Sequence, residues 1–345
     1  MAMVLCRVAR VAAAFLALTV FADEAAQAAT VVRFAVRGAK FMMFGSLNTQ
    51  GAVIGSDRYG RHAKDWEAFI RTADGAITTF RYPGAGWTYG LDMNAAGVAV
   101  GVFALPDKSQ HGYIRAADGS LTAFDLGMAF DGLNPACIDN DGVIAGTYSA
   151  GHADHGFVRA ADGTVTFFDP AGAKGTAVRG MNKGGVIAGD FFDASNRTHG
   201  YVRTPDGTIT QIDAPGSDVQ DTTIDAINAN GEMAGSYRAD GEARFGHAFF
   251  RDAAGNFTFF SAGSGDTLTT SIDNDREITG AFFSNDGSTQ GFVYKAGGGV
   301  TTFAIGAPGS HSTFSYRIIN GGTTAGAVQF AGKKGTKDDF FLRIP

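Results

Sequence analysis

Beyond Phe21 the apolar residues come only in short runs, rich in β-branched and aromatic side chains and broken by Gly, Asn, Asp and Pro. Residues 176–213 carry the pattern clearly: TAVRGMN, then GVIAGDFF, then HGYVR, then TITQID after a PDG turn. Short apolar runs separated by Asp-Gly and Asn-containing turns predict β-hairpins. No stretch keeps a convincing 3.6-residue apolar period, so helix is not expected.

The four-run phrase recurs. Anchored on the last glycine of N-x-x-G-x-x-x-G, it returns as NTQGAVIG (Gly55), NAAGVAVG (Gly101), DNDGVIAG (Gly146), NKGGVIAG (Gly189), NANGEMAG (Gly235), DNDREITG (Gly280) and INGGTTAG (Gly326). Successive glycines are 46, 45, 43, 46, 45 and 46 residues apart, giving seven repeats. Four antiparallel strands per repeat of this length is the signature of a β-propeller blade. In such a ring both faces of every blade are buried on neighbours. Phenylalanine, with no polar tip to satisfy, suits that setting, and the chain has 29 Phe against 9 Tyr and 2 Trp.

The ends of the chain carry the strongest inference. The seventh repeat stops after its third run, DDFFLRIP, while TVVRFAVRGAKFMMFGSLN (Thr30 to Asn48) aligns without a gap to TVTFFDPAGAKGTAVRGMN (Thr164 to Asn182). The expectation is an all-β fold, a single seven-bladed β-propeller over residues 29–345 with four-stranded antiparallel blades. The N-terminal strand, Thr30 to Ala35, would complete the C-terminal blade and close the ring, removing open sheet edges. A linear solenoid would need capping repeats at both ends, and none is visible.

Residues 1–28 are expected to be a secretory signal peptide. Arg7 and Arg10 precede an apolar run from Val11 to Phe21, followed by Ala26-Gln27-Ala28. The run is shorter than the roughly 20 residues of a spanning helix. The protein is therefore expected in the periplasm or outside the cell, with no membrane span and as a monomer. Cys6 falls in that leader, so Cys137 stands alone, without an intrachain disulfide, in the apolar setting of an inert buried thiol. The net charge of −6 disfavours a nucleic-acid partner.

The phrase H-[GA]-[FY]-x-R-x-x-[DG]-G-x-x-T-x-F, followed by P-G and the N-x-x-G motif, resembles the bacterial extracellular HAF repeats. GHAFFRDAAGNFTFF (Gly246 to Phe260) contains the name-giving His247-Ala248-Phe249. The resemblance spans all seven repeats. It implies an exported repeat protein of propeller fold, and no settled activity or catalytic residues.

Chemistry-bearing residues are few. His111, His155, His199 and His247 share one repeat position, which elsewhere holds Glu67, Gln290 and Asp339. Such a mixture asks for a hydrogen-bonding side chain, not a metal ligand. Arg71, Arg115, Arg159, Arg203, Arg251 and Arg343 recur at the end of the third run, where a turn carboxylate is the expected partner. DNDG (Asp139 to Gly142) reads as a turn, not a calcium loop. No metal site and no cofactor is expected.

Function is therefore sought in what differs between repeats. Second-to-third loops and repeat-to-repeat links fall on one face of the disc and are the variable segments. Both tryptophans lie there. The expected ligand-binding group is Tyr59, His62, Trp66, Tyr82, Trp87 and Tyr89, serving a non-enzymatic protein that binds a ligand, a polysaccharide or a surface protein. The alternatives are a carbohydrate-active enzyme and a structural envelope protein. A lyase would draw on Tyr89, Arg179, His311, Tyr316 and Arg317, and a glycoside hydrolase on Asp92 and Asp225.

Overall fold

The computed structural model describes residues 29–345 apart from 61–64, 217, 243–245, 307–309 and 333–334. The leader 1–28 and His62 lie outside the described residues, as does the side chain of His311. The described chain is all-β. Repeats 1 to 5 each form a separate four-stranded antiparallel sheet, over 41–80, 87–124, 132–168, 175–212 and 219–260. The strands follow chain order within each sheet, as tight hairpins dictate. Repeat 6 (266–303) builds a sixth four-stranded set. One parallel bridge, Thr289 to Ser312, joins it to the three strands of repeat 7, Ser310–Ile319, Thr323–Gly332 and Gly335–Ile344. The N-terminal strand Thr30–Phe34 pairs antiparallel with the last of these, from Thr30 opposite Ile344 to Phe34 opposite Phe340. It occupies the place that the sequence alignment assigns to a missing fourth strand.

Each first strand is bulged at the same point. Its register against the second strand shifts between Phe44 and Ser46, Gly90 and Asp92, Asn134 and Cys137, Val178 and Gly180, Ile224 and Ala226, Thr269 and Ser271, and Ser315 and Arg317. A bulge leaves one residue outside the ladder and turns its neighbours. Here it presses a first-strand carbonyl onto the motif's last glycine. A Cβ on Gly146 would collide with the Asn134 carbonyl oxygen and sit 2.8 Å from the Phe157 ring; on Gly280 it would collide with the Leu268 carbonyl and sit 2.9 Å from Phe292. The second constraint is the third-strand aromatic lying beneath: Phe69, Tyr113, Phe157, Phe249, Phe292 and Phe341 are each 0 % exposed. N-x-x-G-x-x-x-G is thus two devices in series. The Asn side chain caps the turn, as Asn48 Oδ1 does by accepting from Gln50 and Ala52 N–H at 3.0 and 2.9 Å. The last glycine then makes room for a carbonyl and a ring.

Neighbouring repeats are stitched at the same motif. Asn48 Nδ2 donates to Asn94 O (3.0 Å), Asn94 Nδ2 to Asp139 O (2.8 Å), and Asn228 Nδ2 to Asp273 O (2.8 Å). Where the position holds Asp, as at 139 and 273, the side chain has no N–H to donate onward.

The recurrent arginines correct the sequence expectation. Arg71, Arg115, Arg159 and Arg203 each donate to the next residue's carbonyl. Their guanidinium groups lie over a ring from the preceding sheet: Arg115 over Phe80 (4.9 Å), Arg159 over Phe124 (5.1 Å), Arg203 over Phe168 (5.0 Å) and Arg343 over Phe303 (5.0 Å). A delocalised, weakly hydrated guanidinium tolerates that half-buried slot between sheets, whereas the turn carboxylates point outward to cap their own turns. Arg71 makes the same contact with Phe34 of the N-terminal strand, at 4.9 Å.

Gly146→Ala should lower stability by about 1–3 kcal/mol, because neither the Asn134 carbonyl nor the Phe157 ring can withdraw from a close-packed sheet. Thermal unfolding of the variant measures this, and an unchanged midpoint would contradict the packing described.

Candidate functional site

The two tryptophans converge. Trp66 opens the third strand of repeat 1 and Trp87 opens the first strand of repeat 2, so both lie at strand ends that meet the variable loops. Their rings approach Tyr89 at 5.3 and 4.8 Å between centroids. Arg58, register partner of Trp66, spans the Phe41 ring at 3.9 Å and the Trp66 ring at 5.4 Å. All three aromatics are half-buried, packed on one side against the core between repeats 2 and 3 or on each other. Burial pushes the Tyr89 hydroxyl up to about 12, with Arg58 pulling the other way, so it stays a neutral donor and acceptor throughout the physiological range. Such rings offer a flat apolar face edged by a cation and a hydroxyl, the combination that stacks on a sugar or a protein anchor.

The other expected members stand apart. Tyr82 stacks flat on Phe103 at 3.8 Å and belongs to the link between repeats 1 and 2. Tyr59 faces the opposite side of its sheet from Arg58 and packs with the core shared by repeats 1 and 7.

A second polar locus gathers residues that the sequence analysis names only singly. A cavity of about 250 Å³ is lined by first-strand residues of all seven repeats. Asn48, Thr49, Asn94, Asp139, Asn140, Asn182 and Lys183 place it toward the tight-turn end, away from the variable loops. Bulge residues supply its charge. Arg179 holds the buried Asp190 with both edges of its guanidinium (Nε to Oδ1 2.6 Å, Nη2 to Oδ2 3.2 Å). Arg317 donates to Ser46 Oγ at 3.1 Å and reaches Asp92 Oδ1 at 3.5 Å, while Asp92 Oδ2 accepts from Ile138 N–H at 2.9 Å. Asp225 accepts from Thr269 Oγ1 (2.7 Å) and Ser236 Oγ (2.9 Å), and its burial raises its pKa. Asp92 and Asp225 therefore serve different partners. Tyr316 stacks on Phe44 at 5.5 Å, away from Tyr89. Cys137 lines the same cavity, but burial pushes its thiol far above the ordinary range, so it is no nucleophile. These contacts cross the whole chain. Compared column by column at the bulge and at the position after it, the repeats single out the same residues, Arg179 and Asp225 in the first column and Asp92 and Arg317 in the second.

The repeated histidines join strand to strand. His111, His155 and His199 pair through Nδ1 with Asp125, Asp169 and Asp213 at 2.6, 2.7 and 2.9 Å, and each ring lies on a second-strand aromatic, Phe103, Tyr148 or Phe191. His247 reaches Glu242 instead, at 2.9 Å. Among the described residues, no group of three or more His, Cys, Asp or Glu could hold a metal ion, and no helix is long and apolar enough to cross a membrane.

No family model and no curated protein matches the sequence. The fold has solved counterparts. The chain is similar to the β-propeller domain of the Trilobed protease from Pyrococcus furiosus, with TM-score 0.61 and 11% identity over 88% of this chain and 94% of that one. It is also similar to virginiamycin B lyase from Staphylococcus aureus (TM-score 0.53, 14% identity, 92% and 99% covered) and to YCF48 bound to a D1 peptide (TM-score 0.57, 10% identity, 96% and 100% covered). At these identities the likeness carries the fold alone. The chain is a β-propeller protein built from sequence repeats.

His155→Gln should be mild, since Gln290 fills the same position in repeat 6. His155→Leu should cost about 1 kcal/mol by removing the histidine from Asp169 Oδ2, with only Thr176 Oγ1 left on the other oxygen. Paired denaturation curves check this, and equal midpoints for the two variants would contradict it.

Proposed function

We propose that this protein is an exported, non-enzymatic propeller of seven blades that binds a surface glycan through the platform of Trp66, Trp87 and Tyr89. It would be a member of the HAF-repeat group, with residues 1–28 as its signal peptide. The observation that carries the reading is the convergence of the only two tryptophans onto Tyr89, at centroid distances of 4.8 and 5.3 Å, in a chain that otherwise packs its sheets with phenylalanine. Of the residues a lyase or hydrolase would use, Arg179, Arg317 and Asp225 are engaged elsewhere, in the Asp190 pair, the Ser46 and Asp92 contacts and the Asp225 hydroxyl cage.

A closed ring of seven blades is part of the same proposal. The last repeat lacks a fourth strand of its own, and Thr30–Phe34 lies in its place. Repeat 1 meets repeat 7 by one contact that recurs between other repeats, an arginine over a ring, and by two of its own. Arg71 covers Phe34, Phe44 stacks on Tyr316, and Arg317 donates to Ser46. Phe34, Met42, Phe69, Ala327, Phe340 and Leu342 share one core. Closure leaves the platform on a rigid support, so that binding costs little ordering.

Trp87→Ala should abolish retention on bacterial polysaccharides while leaving the melting temperature within a few degrees. Loss of fold without a separable binding defect would defeat the platform reading. Deleting Thr30 to Val36 should lower the midpoint of one cooperative transition by roughly 5–10 °C, and an unchanged midpoint would defeat closure.

A further inference from the structure

Repeats 2 to 4 close their second and third strands with one set of three side chains: an aromatic, the histidine opposite, and the aspartate 14 residues further on. Repeat 1 replaces all three. Asp57 stands where the aromatic should be, Glu67 where the histidine should be, and Arg81 where the aspartate should be. Asp57 and Glu67 are register partners, so two carboxyl groups face each other across adjacent strands. Arg81 Nε lies 3.6 Å from Glu67 Oε2, which matches one carboxylate with one cation and leaves the other in excess.

The excess carboxyl is Asp57. It is 0 % exposed, and neither oxygen has a hydrogen bond of ordinary geometry. Only the Tyr59 hydroxyl is close enough to favour its charged form by hydrogen bonding. The strand opposite adds nothing, because Met42 is its register partner there. At the Met42 position repeats 2, 5, 6 and 7 carry a threonine whose hydroxyl accepts the N–H of the preceding link, at 3.0 Å in each. In repeat 1 the Val36 N–H finds only the Met42 sulfur, at 3.5 Å.

The segment 36–40 leads from the N-terminal strand into repeat 1, and Gly38 lies against the Tyr59 ring. Among the described residues the charges around it are few. Arg58 faces the other side of its sheet, over Phe41 and Trp66. Arg37 and Lys40 are exposed, and the first strand Phe41–Leu47 and fourth strand Ile77–Phe80 carry no charge. Repeat 7 meets this core with Ala325, Ala327, Phe340 and Leu342, and its Asp339, like Arg33 of the N-terminal strand, has contacts of its own.

We propose that Asp57 and Glu67 share one proton and form a pH-sensitive latch on the seam where the N-terminal strand enters repeat 1. With the proton bound, the carboxyl pair tolerates burial and the 36–40 segment stays seated. With the proton gone, two like charges face each other in a site with one cation, and the seam loosens. Burial first, and Glu67 second, raise Asp57 to about 7, against the lowering effect of Tyr59 and Arg81. The folded chain thus keeps a proton that the unfolded chain releases near pH 4. The stability this contributes is complete below that value, declines as pH rises, and is gone above about 7.

The test is thermal unfolding of the protein between pH 5 and pH 8, beside Asp57→Asn and Asp57→Phe, the latter restoring the aromatic of the other repeats. Asp273, also raised by burial to about 6, titrates in all three, so the difference between profiles is what counts. The unsubstituted protein should lose several degrees more than either variant, and trypsin should cut it after Arg37 several-fold faster than Asp57→Asn at pH 8. Glu67→Gln keeps Asp57 but removes the repulsion, and should move the decline to lower pH even if the Asp57 variants fold poorly. Parallel profiles for the unsubstituted protein and the Asp57 variants, or a Glu67→Gln profile that superimposes on the unsubstituted one, would overturn the latch.

Discussion

The contact between a bulged first strand, a second-strand glycine and a third-strand ring sets the terms for the whole structure. Gly146, with the Asn134 carbonyl above it and Phe157 beneath, shows why no side chain fits. The bulge that creates this contact also turns the first strand, and the residues that follow it line the cavity shared by all seven repeats. Each sheet has one ring-filled layer between strands and two faces that must be covered. Hydrophobic cores accordingly form between repeats, as with Val102, Leu126, Leu133 and Tyr148, and not within one repeat alone. A repeat that cannot cover its own faces stabilises only in company. The first and last repeats therefore have the most to gain from meeting, and Arg71 over Phe34 is one of the contacts between them.

Against that uniform scaffold, chemistry resides in the exceptions. Arg179 and Asp225 at the bulge, and Asp92 and Arg317 just after it, break the run of small, apolar and uncharged side chains; Asp190 matches Arg179, hydroxyls satisfy Asp225, and Arg317 reaches Asp92. Asp57 and Glu67 break the aromatic and histidine positions of repeat 1 and are matched only in part. Trp66 and Trp87 break the preference for phenylalanine. Repeat 1 thus contributes Trp66 to the proposed platform and Asp57 and Glu67 to the proposed latch, on opposite sides of one sheet.

Much of this was legible in the sequence because it is written in local spacing. The strands, their turns, the repeat length and the homology of Thr30–Asn48 to Thr164–Asn182 need no knowledge of distant contacts. The histidines could be read as hydrogen bonders because Gln290 and Asp339 share their position. Three things were not legible. The arginines find rings of the preceding sheet, a partner set by how sheets stack and not by the adjacent Asp-Gly turn. The Arg317 to Asp92 contact joins residues 225 apart, which only closely packed first strands bring together. Asp57 and Glu67 become a pair through antiparallel register, and ten residues of sequence give no hint that they face each other. Of the expected ligand group, Trp66, Trp87 and Tyr89 gather, whereas Tyr59 and Tyr82 belong to packing elsewhere.

The central claim is that the N-terminal strand is an integral part of the last blade. Native-state hydrogen exchange, read on the peptide containing Thr30–Phe34 and on one containing the second strand of repeat 4, Ile187–Phe192, addresses it directly. If the strand closes a cooperative ring, its amides can open only when the ring does, and the two peptides should show protection of the same order. Exchange of Thr30–Phe34 at close to the rate of an unstructured terminus, while Ile187–Phe192 stays protected, would contradict the account.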